Sequence, residues 1–298
     1  MLKNATAHMH QRCKQLQKKT TMKKLTILTI LITLLISCSS IEKSPFGEPN
    51  IDIKTINTDF SRWWKYHSDN IVLSSNFIPI DDSSKIMNME QFFKDLETGD
   101  YIPIKLDSKN STTYYQLFKL GNNADEDIRN TIKNTSQIVY KHHLREGKMF
   151  PKFSFKDLDG NEYNNENTKG KIVILKCWFI KCGACIAEFP ELNEMVENYK
   201  NRNDIIFLSL AFDTEAELKN FLVKKPFDYK VASVKKDFFE SELKISAYPT
   251  HFIIDKDGII EKVVNTSDEL FLELSDKGIL NLNEKSSHSI PPPPALPN

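Results

Sequence analysis

Two cysteines three positions apart, Cys182 and Cys185, stand where one hydrophobic period ends and another begins. Before them, Lys171 to Phe179 is an apolar run of strand length. After them, Ala184 to Tyr199 places Ile186, Phe189, Leu192, Met195 and Val196 on one side of a helix. A buried strand that turns directly into an amphipathic helix leaves few architectures open. The alternation continues with a strand at Ile205 to Phe212, a helix at Glu215 to Val223, a strand at Tyr229 to Val234 and a short helix at 237–243. Thr250 to Asp255 and Ile259 to Val264 then flank Lys256-Asp257-Gly258, which has the Asp-Gly chemistry of a hairpin turn. A βαβ section followed by an antiparallel hairpin predicts an α/β fold, a mixed central sheet flanked by helices.

The position of the cysteines gives them a chemistry. At the start of a helix, unpaired N–H groups and the positive end of the helix dipole favour a thiolate. Cys185 lies one turn further on, close enough to form and break a disulfide with Cys182. Cys182 is therefore expected to be the exposed attacking thiol and Cys185 the buried resolving one. Cys177 precedes them with the spacing of three iron–sulfur ligands, but a fourth cysteine is missing and Cys177 lies inside the apolar strand, where a buried structural thiol is the better reading. His251, in the first strand of that hairpin, reads as a partly exposed structural histidine.

The N-terminus bears on the compartment. Met22-Lys23-Lys24 precedes a run from Leu25 to Ser37 of Leu, Ile, Thr and one Ser, too short to span a bilayer but suited to a signal-peptide core. Leu35-Ile36-Ser37-Cys38-Ser39-Ser40 resembles a bacterial lipobox, which predicts a signal peptide over 1–37, a lipidated Cys38 and a tethered linker over 38–50. The polar, basic residues 1–21 sit awkwardly before this signal, and translation is expected to start at Met22. The formal charge of zero hides an asymmetry. The first 37 residues hold seven Lys/Arg and no Asp/Glu, leaving 33 basic against 40 acidic side chains in the remainder, a charge of about −7. An acidic chain without a basic stripe argues against nucleic acid as a partner.

Residues 51–147 read as a small α/β domain of unassigned role, with a strand-like run at Ile71-Val72-Leu73, a helix at 89–97, strands at Tyr101 to Ile104 and Tyr114 to Leu120, and a polar helix over 124–144. Trp63 and Trp64 supply core material. His142 and His143 point about 100° apart on that helix and do not make a metal pair. Residues 281–298, with Pro291 to Pro294, are expected to form a disordered tail.

Trp178-Phe179-Ile180-Lys181-Cys182-Gly183-Ala184-Cys185-Ile186-Ala187-Glu188-Phe189-Pro190 resembles the active-site segment of TlpA/ResA-like envelope thioredoxins. Phe150-Pro151-Lys152-Phe153, Asp159-Gly160 and Gly170-Lys171 resemble the lead-in of that family. Tyr248-Pro249-Thr250-His251-Phe252-Ile253-Ile254-Asp255 is similar to its second signature. The resemblance covers about 130 residues and implies a thioredoxin fold over 148–280. It also implies a cis-Pro249 facing the cysteines, a Tyr248 backbone that pairs with substrate, and substrate contacts from Trp178 and Lys181. Pro190 matches the kink of the active-site helix, and Glu188 matches a family glutamate, expected here to take the proton of Cys185 with its own pKa raised by burial. Lys176 stands where thioredoxin keeps a buried acid, and Lys181 replaces its Trp, so a cation near Cys182 is expected to favour the thiolate.

The implied activity is thiol–disulfide oxidoreduction, as a reductase of disulfides in cell-envelope proteins. An upstream membrane electron donor is expected to supply the electrons, the lipid-anchored protein is expected to face the periplasm or exterior, and neither cofactor nor metal is expected. Two other functions use the same cysteines. A peroxiredoxin would share the fold, but the Pro-x-x-x-Thr-x-x-Cys lead-in is missing. A copper metallochaperone would recruit His251.

Overall fold

The structure, a computed structural model, describes residues 44–280. The expected signal peptide, Met22 start, Cys38 and the tail from 281 lie outside the described residues. Among the described residues, those from Phe46 to Leu280 belong to one compact unit built on a four-stranded and a five-stranded sheet, with a small two-stranded one beside them.

The first sheet has the order β1-β3-β4-β2, from β1 (Glu48–Pro49), β2 (Ile78–Ile80), β3 (Tyr101–Asp107) and β4 (Tyr114–Lys119). Helices α1 (Phe60–Asn70), α2 (Met89–Glu97) and α3 (Glu126–His143) bury Trp63, Phe92, Phe93, Leu96, Ile128 and Ile132 against it. The strand expected at Ile71 to Leu73 is instead a turn, and the strand comes at Ile78–Ile80. Ile71 and Leu73 are buried as the apolar pattern required, but the Val72 N–H donates to the Tyr115 hydroxyl at 2.9 Å, so a side chain does the work of a ladder. On α3, His142 turns inward and His143 outward.

The second sheet has the order β11-β10-β7-β8-β9. Its strands are β7 (Ile172–Trp178), β8 (Ile205–Ala211), β9 (Lys230–Ser233), β10 (Thr250–Ile254) and β11 (Ile260–Val264), after a small hairpin of β5 (Ser154–Lys156) and β6 (Glu162–Asn164). β7, β8 and β9 run parallel; β10 is antiparallel to both β7 and β11. This is the thioredoxin fold the motifs implied.

Alternation along β7 divides the core. Ile174 and Trp178 face α5 (Phe189–Tyr199), α6 (Glu215–Lys224) and α7 (Ser267–Asp276), whereas Val173, Leu175 and Cys177 face Phe150, Phe239 and Phe252. The helix α7 was not among the sequence expectations. Its capping box, Thr266 with Glu269, and the following Leu270 and Leu274 were the signal for it. The short helix expected at 237–243 is a wide, single turn at Phe238–Glu242.

Both lateral edges of this sheet are occupied. Beside β11, the Gly147 N–H donates to the Ile260 carbonyl at 2.8 Å and the Ile260 N–H to Lys148 at 2.8 Å. Beside β9, Asp157 bridges Ala232, and the Leu158 N–H donates to Val231 at 2.9 Å. Residues on the other side of Gly147 join the two sheets. α3 lies against β11, Glu146 pairs with Lys262 at 3.3 Å, and the Ser74 hydroxyl donates to Glu269 at 2.7 Å.

Candidate active site

The helix expected over 184–199 is two helices. A short α4 (Gly183–Ala187) ends at Glu188, and α5 begins with Pro190 in its first turn. Proline lacks the N–H that a continuing helix would need and clashes with the preceding turn, so the axis breaks where the sequence placed a kink.

Cys182 caps α4, with its sulfur accepting the Cys185 N–H at 3.2 Å, and the two cysteines form a disulfide with their Cα atoms 5.3 Å apart. The loop that presents them is anchored, because the Ile180 N–H donates to Asp213 at 2.8 Å and the Cys182 N–H to the Phe179 carbonyl at 3.0 Å. The expected exposure of Cys182 is corrected. It is 7% exposed against 0% for Cys185, so the attacking thiol differs from its partner only in degree, walled by the partly buried Phe179 and Ile180.

The Tyr248–Pro249 bond is cis. Its loop is held by Asn265, whose amide donates to the Pro249 carbonyl at 2.9 Å and to the Thr250 hydroxyl at 3.2 Å. Tyr248 is half-buried and meets Phe179 and Phe212 edge-on, with ring centres 5.4 and 5.8 Å apart, while Phe179 stacks on Phe212 at 4.9 Å. Phe212, Asp213 and Asn265 were not picked out from the sequence. Asp213, a carboxylate just after an apolar strand, was the most legible of them.

Trp178, expected to touch substrate, is fully buried and does not. Its indole N–H donates to Ser209 at 3.2 Å, and its ring packs against Phe189 and Phe227. It supports the cysteines from below. Lys181 is exposed, within electrostatic reach of Glu217 as well as near Cys182.

Beneath α4 lies a charged cluster. Lys176, 0% exposed, points from β7 on the face between Ile174 and Trp178 and donates to Glu188 Oε2. His251, opposite Lys176 in the β7–β10 ladder, places Nε2 3.1 Å from the same oxygen. Glu188 Oε1 accepts the Ser267 N–H at 2.9 Å, at the start of α7. The expected partial exposure of His251 is corrected: it is wholly buried.

The raised pKa expected for Glu188 is corrected as well. Burial does oppose its charge, but His251 and Lys176 outweigh that and hold the carboxyl at about 2. Burial pushes Lys176 down, with Glu188 pulling back. His251 is pushed below its usual range by burial and then by Lys176, so the imidazole is neutral near pH 7. An ionised carboxylate can only accept, so Nε2 carries the proton and Nδ1 is left bare, without a partner. On the far face of β7, burial pushes the free thiol of Cys177 far up, which makes it inert near neutral pH.

Known proteins resemble this chain over its second half. The profile of the AhpC/TSA family matches residues 147–263. A thiol-disulfide oxidoreductase ResA of Bacillus cereus is 33% identical over 134 residues, covering 45% of this chain and 78% of the relative. The thioredoxin-like protein YneN of Bacillus subtilis is 25% identical over 122 residues, 40% of this chain and 71% of its own. Among solved structures, the thioredoxin domain of a thiol-disulfide oxidoreductase from Bacteroides vulgatus aligns over 44% of this chain and 96% of that one, with a TM-score of 0.40 and 23% identity. With two cysteines joined at a helix start, a cis-proline loop and a relative of this similarity covered over most of its length, the chain belongs to the TlpA/ResA-like family of thiol–disulfide oxidoreductases.

Proposed function

We propose that this oxidoreductase works as a reductase of disulfides in cell-envelope proteins, held to a membrane by a lipid on Cys38, facing the periplasm or exterior, and recharged by an upstream membrane electron donor. The observation that carries the mechanism is the 182–185 disulfide across the start of α4, with Cys182 at the cap. In the reduced protein Cys182 attacks a substrate disulfide and forms a mixed disulfide. Cys185 then attacks the Cys182 sulfur and releases the reduced substrate. Tyr248 and Pro249 offer main chain to the substrate, and the exposed Lys181 lies at the rim. The lipobox-like segment Leu35-Ile36-Ser37-Cys38 supports the tether, and the donor follows because a site in an oxidising compartment needs an electron supply to stay reduced.

Insulin reduction tests this reading. Cys182→Ser is expected to abolish activity, and Cys185→Ser to accumulate covalent complexes with envelope proteins, seen as bands that reductant dissolves. Activity surviving in Cys182→Ser would sink the assignment of the nucleophile. A potential of the pair near about −270 mV supports the reductase direction, and one near about −120 mV would reverse it. Loss of lipid labelling in Cys38→Ala tests the anchor; unchanged labelling would remove it.

A further inference from the structure

Cys185 is fully buried, and a buried thiol gives up its proton at a cost because the low-dielectric interior disfavours the thiolate. A resolving step therefore needs a proton acceptor inside the protein. We propose that His251 Nδ1 accepts the proton of Cys185, with Glu188 orienting the imidazole through Nε2 and Lys176 holding Glu188 ionised. The inference rests on the roles proposed above for Cys182 and Cys185.

Placement supports it first. Lys176 and His251 are directly opposed in the antiparallel ladder, so their side chains share one face of the sheet. Their same-face neighbours Ile174, Trp178 and Ile253 belong with Cys185 to a single core. Glu188, three residues after Cys185, touches both. The imidazole thus lies on the face of the sheet whose neighbours pack into the same core as Cys185.

An inventory of lone pairs supports it next. The carboxylate of Glu188 already takes three donors, from Lys176, His251 and the Ser267 N–H. Tyr229, whose hydroxyl is buried without a partner, is kept a neutral phenol by burial and by the charge of Glu188. Glu191, pushed up by burial, accepts the Ser267 hydroxyl. His251 Nδ1 remains as a buried, unpartnered base. Charge balance favours it too. Moving a proton from Cys185 to His251 turns two neutral groups into an ion pair, so the buried net charge does not change.

The step balances. The Cys185 S–H bond breaks and its proton moves to Nδ1. The sulfur forms a bond to Cys182 Sγ, the Cys182–substrate S–S bond breaks, and the electron pair leaves on the substrate sulfur. That thiolate takes a proton from the imidazolium or from water. The substrate is reduced and the cysteine pair oxidised.

The test follows both phases by stopped flow with reduced full chain and insulin. His251→Gln keeps a donor for Glu188 and removes the base. It is expected to form mixed disulfide at the wild-type rate and to resolve it about 10²-fold more slowly. Its resolution should also rise about tenfold per pH unit as hydroxide takes the proton, where wild type stays nearly flat from about pH 7 to 8.5. Wild-type resolution in His251→Gln would overturn the proposal, as would a larger loss in Glu191→Gln. If Cys185→Ser forms no mixed disulfide at all, it is the two-cysteine reading that fails. Should His251→Gln not fold, ¹⁵N NMR of the reduced wild type decides: a bare Nδ1 and a protonated Nε2 near pH 7 are expected, and the opposite tautomer overturns the assignment.

Discussion

Lys176 is a cation inside a strand whose other residues are Ile, Val, Leu, Cys and Trp, and such a charge persists only with a partner. Lys176→Met would leave Glu188 ionised and buried with two neutral donors. Breaking a buried pair from one side costs about 3–5 kcal/mol, and the double change Lys176→Met with Glu188→Gln should recover most of it, because no unpaired charge remains. Urea melts of the single and double variants measure both; a double variant no more stable than the single would show that the pair is not the unit that matters. The redox cysteines, the cis-proline and the break at Pro190 were legible because each is a local pattern. The state of Glu188 was not, since its partners lie 12 residues before it and 63 after it and meet it only through β7–β10 pairing. The signal available was the pair of polar residues, Lys176 and His251, in strands otherwise apolar. It asked for a counter-charge without naming one.

Helices α6 and α7 both open on a complete capping box, Thr214 with Glu217 and Thr266 with Glu269. Removing either threonine side chain should cost about 1 kcal/mol. Glu269 carries more than its box, because it also accepts from Ser74 in the first half of the chain and from the Asn265 N–H. Glu269→Ala is therefore expected to cost more than Thr266→Ala, and to speed amide exchange around Leu73 to Ser75 as well as in α7. Equal effects of the two substitutions, with exchange near Ser74 unchanged, would show that this contact does not couple the halves. At this scale most elements could be read from hydrophobic period. The exception at Ile71 to Leu73 is instructive, because burial of alternate residues is necessary for a strand but a tyrosine hydroxyl can satisfy a backbone as well as a neighbouring strand does.

Across the whole molecule, stability should depend on pH through imidazoles far from the cysteines. Burial lowers His67 from 6.5 to about 4, and burial, Arg145 and Lys141 lower His142 to about 3. For a base whose folded pKa is depressed, the unfolded chain binds more protons below pH 6.5, so stability is full above that value and falls as the pH drops toward the folded pKa. His67 alone accounts for about 3 kcal/mol of loss between pH 6.5 and 4. Glu188 adds a later loss. Its folded value of about 2 against 4.5 makes its contribution complete above about pH 4.5 and gone near 2. Urea midpoints should drop steadily from about pH 6.5 to about 4.5 and drop less in His67→Gln; a flat wild-type midpoint over that range would contradict the assignment.

The tied edges of the five-stranded sheet have one more consequence. An unpaired outer strand is a template on which another chain can lay itself down, and most sheet proteins must blunt it with charge or proline. Here the entering segment at 147–150 closes one side and the stretch at 157–158 closes the other. Along the paired stretches of β9 and β11, a second copy would meet hydrogen bonds already made rather than a free ladder. Local density, which drives many sheet proteins toward fibres, acts less on a sheet whose outer strands are already partly engaged.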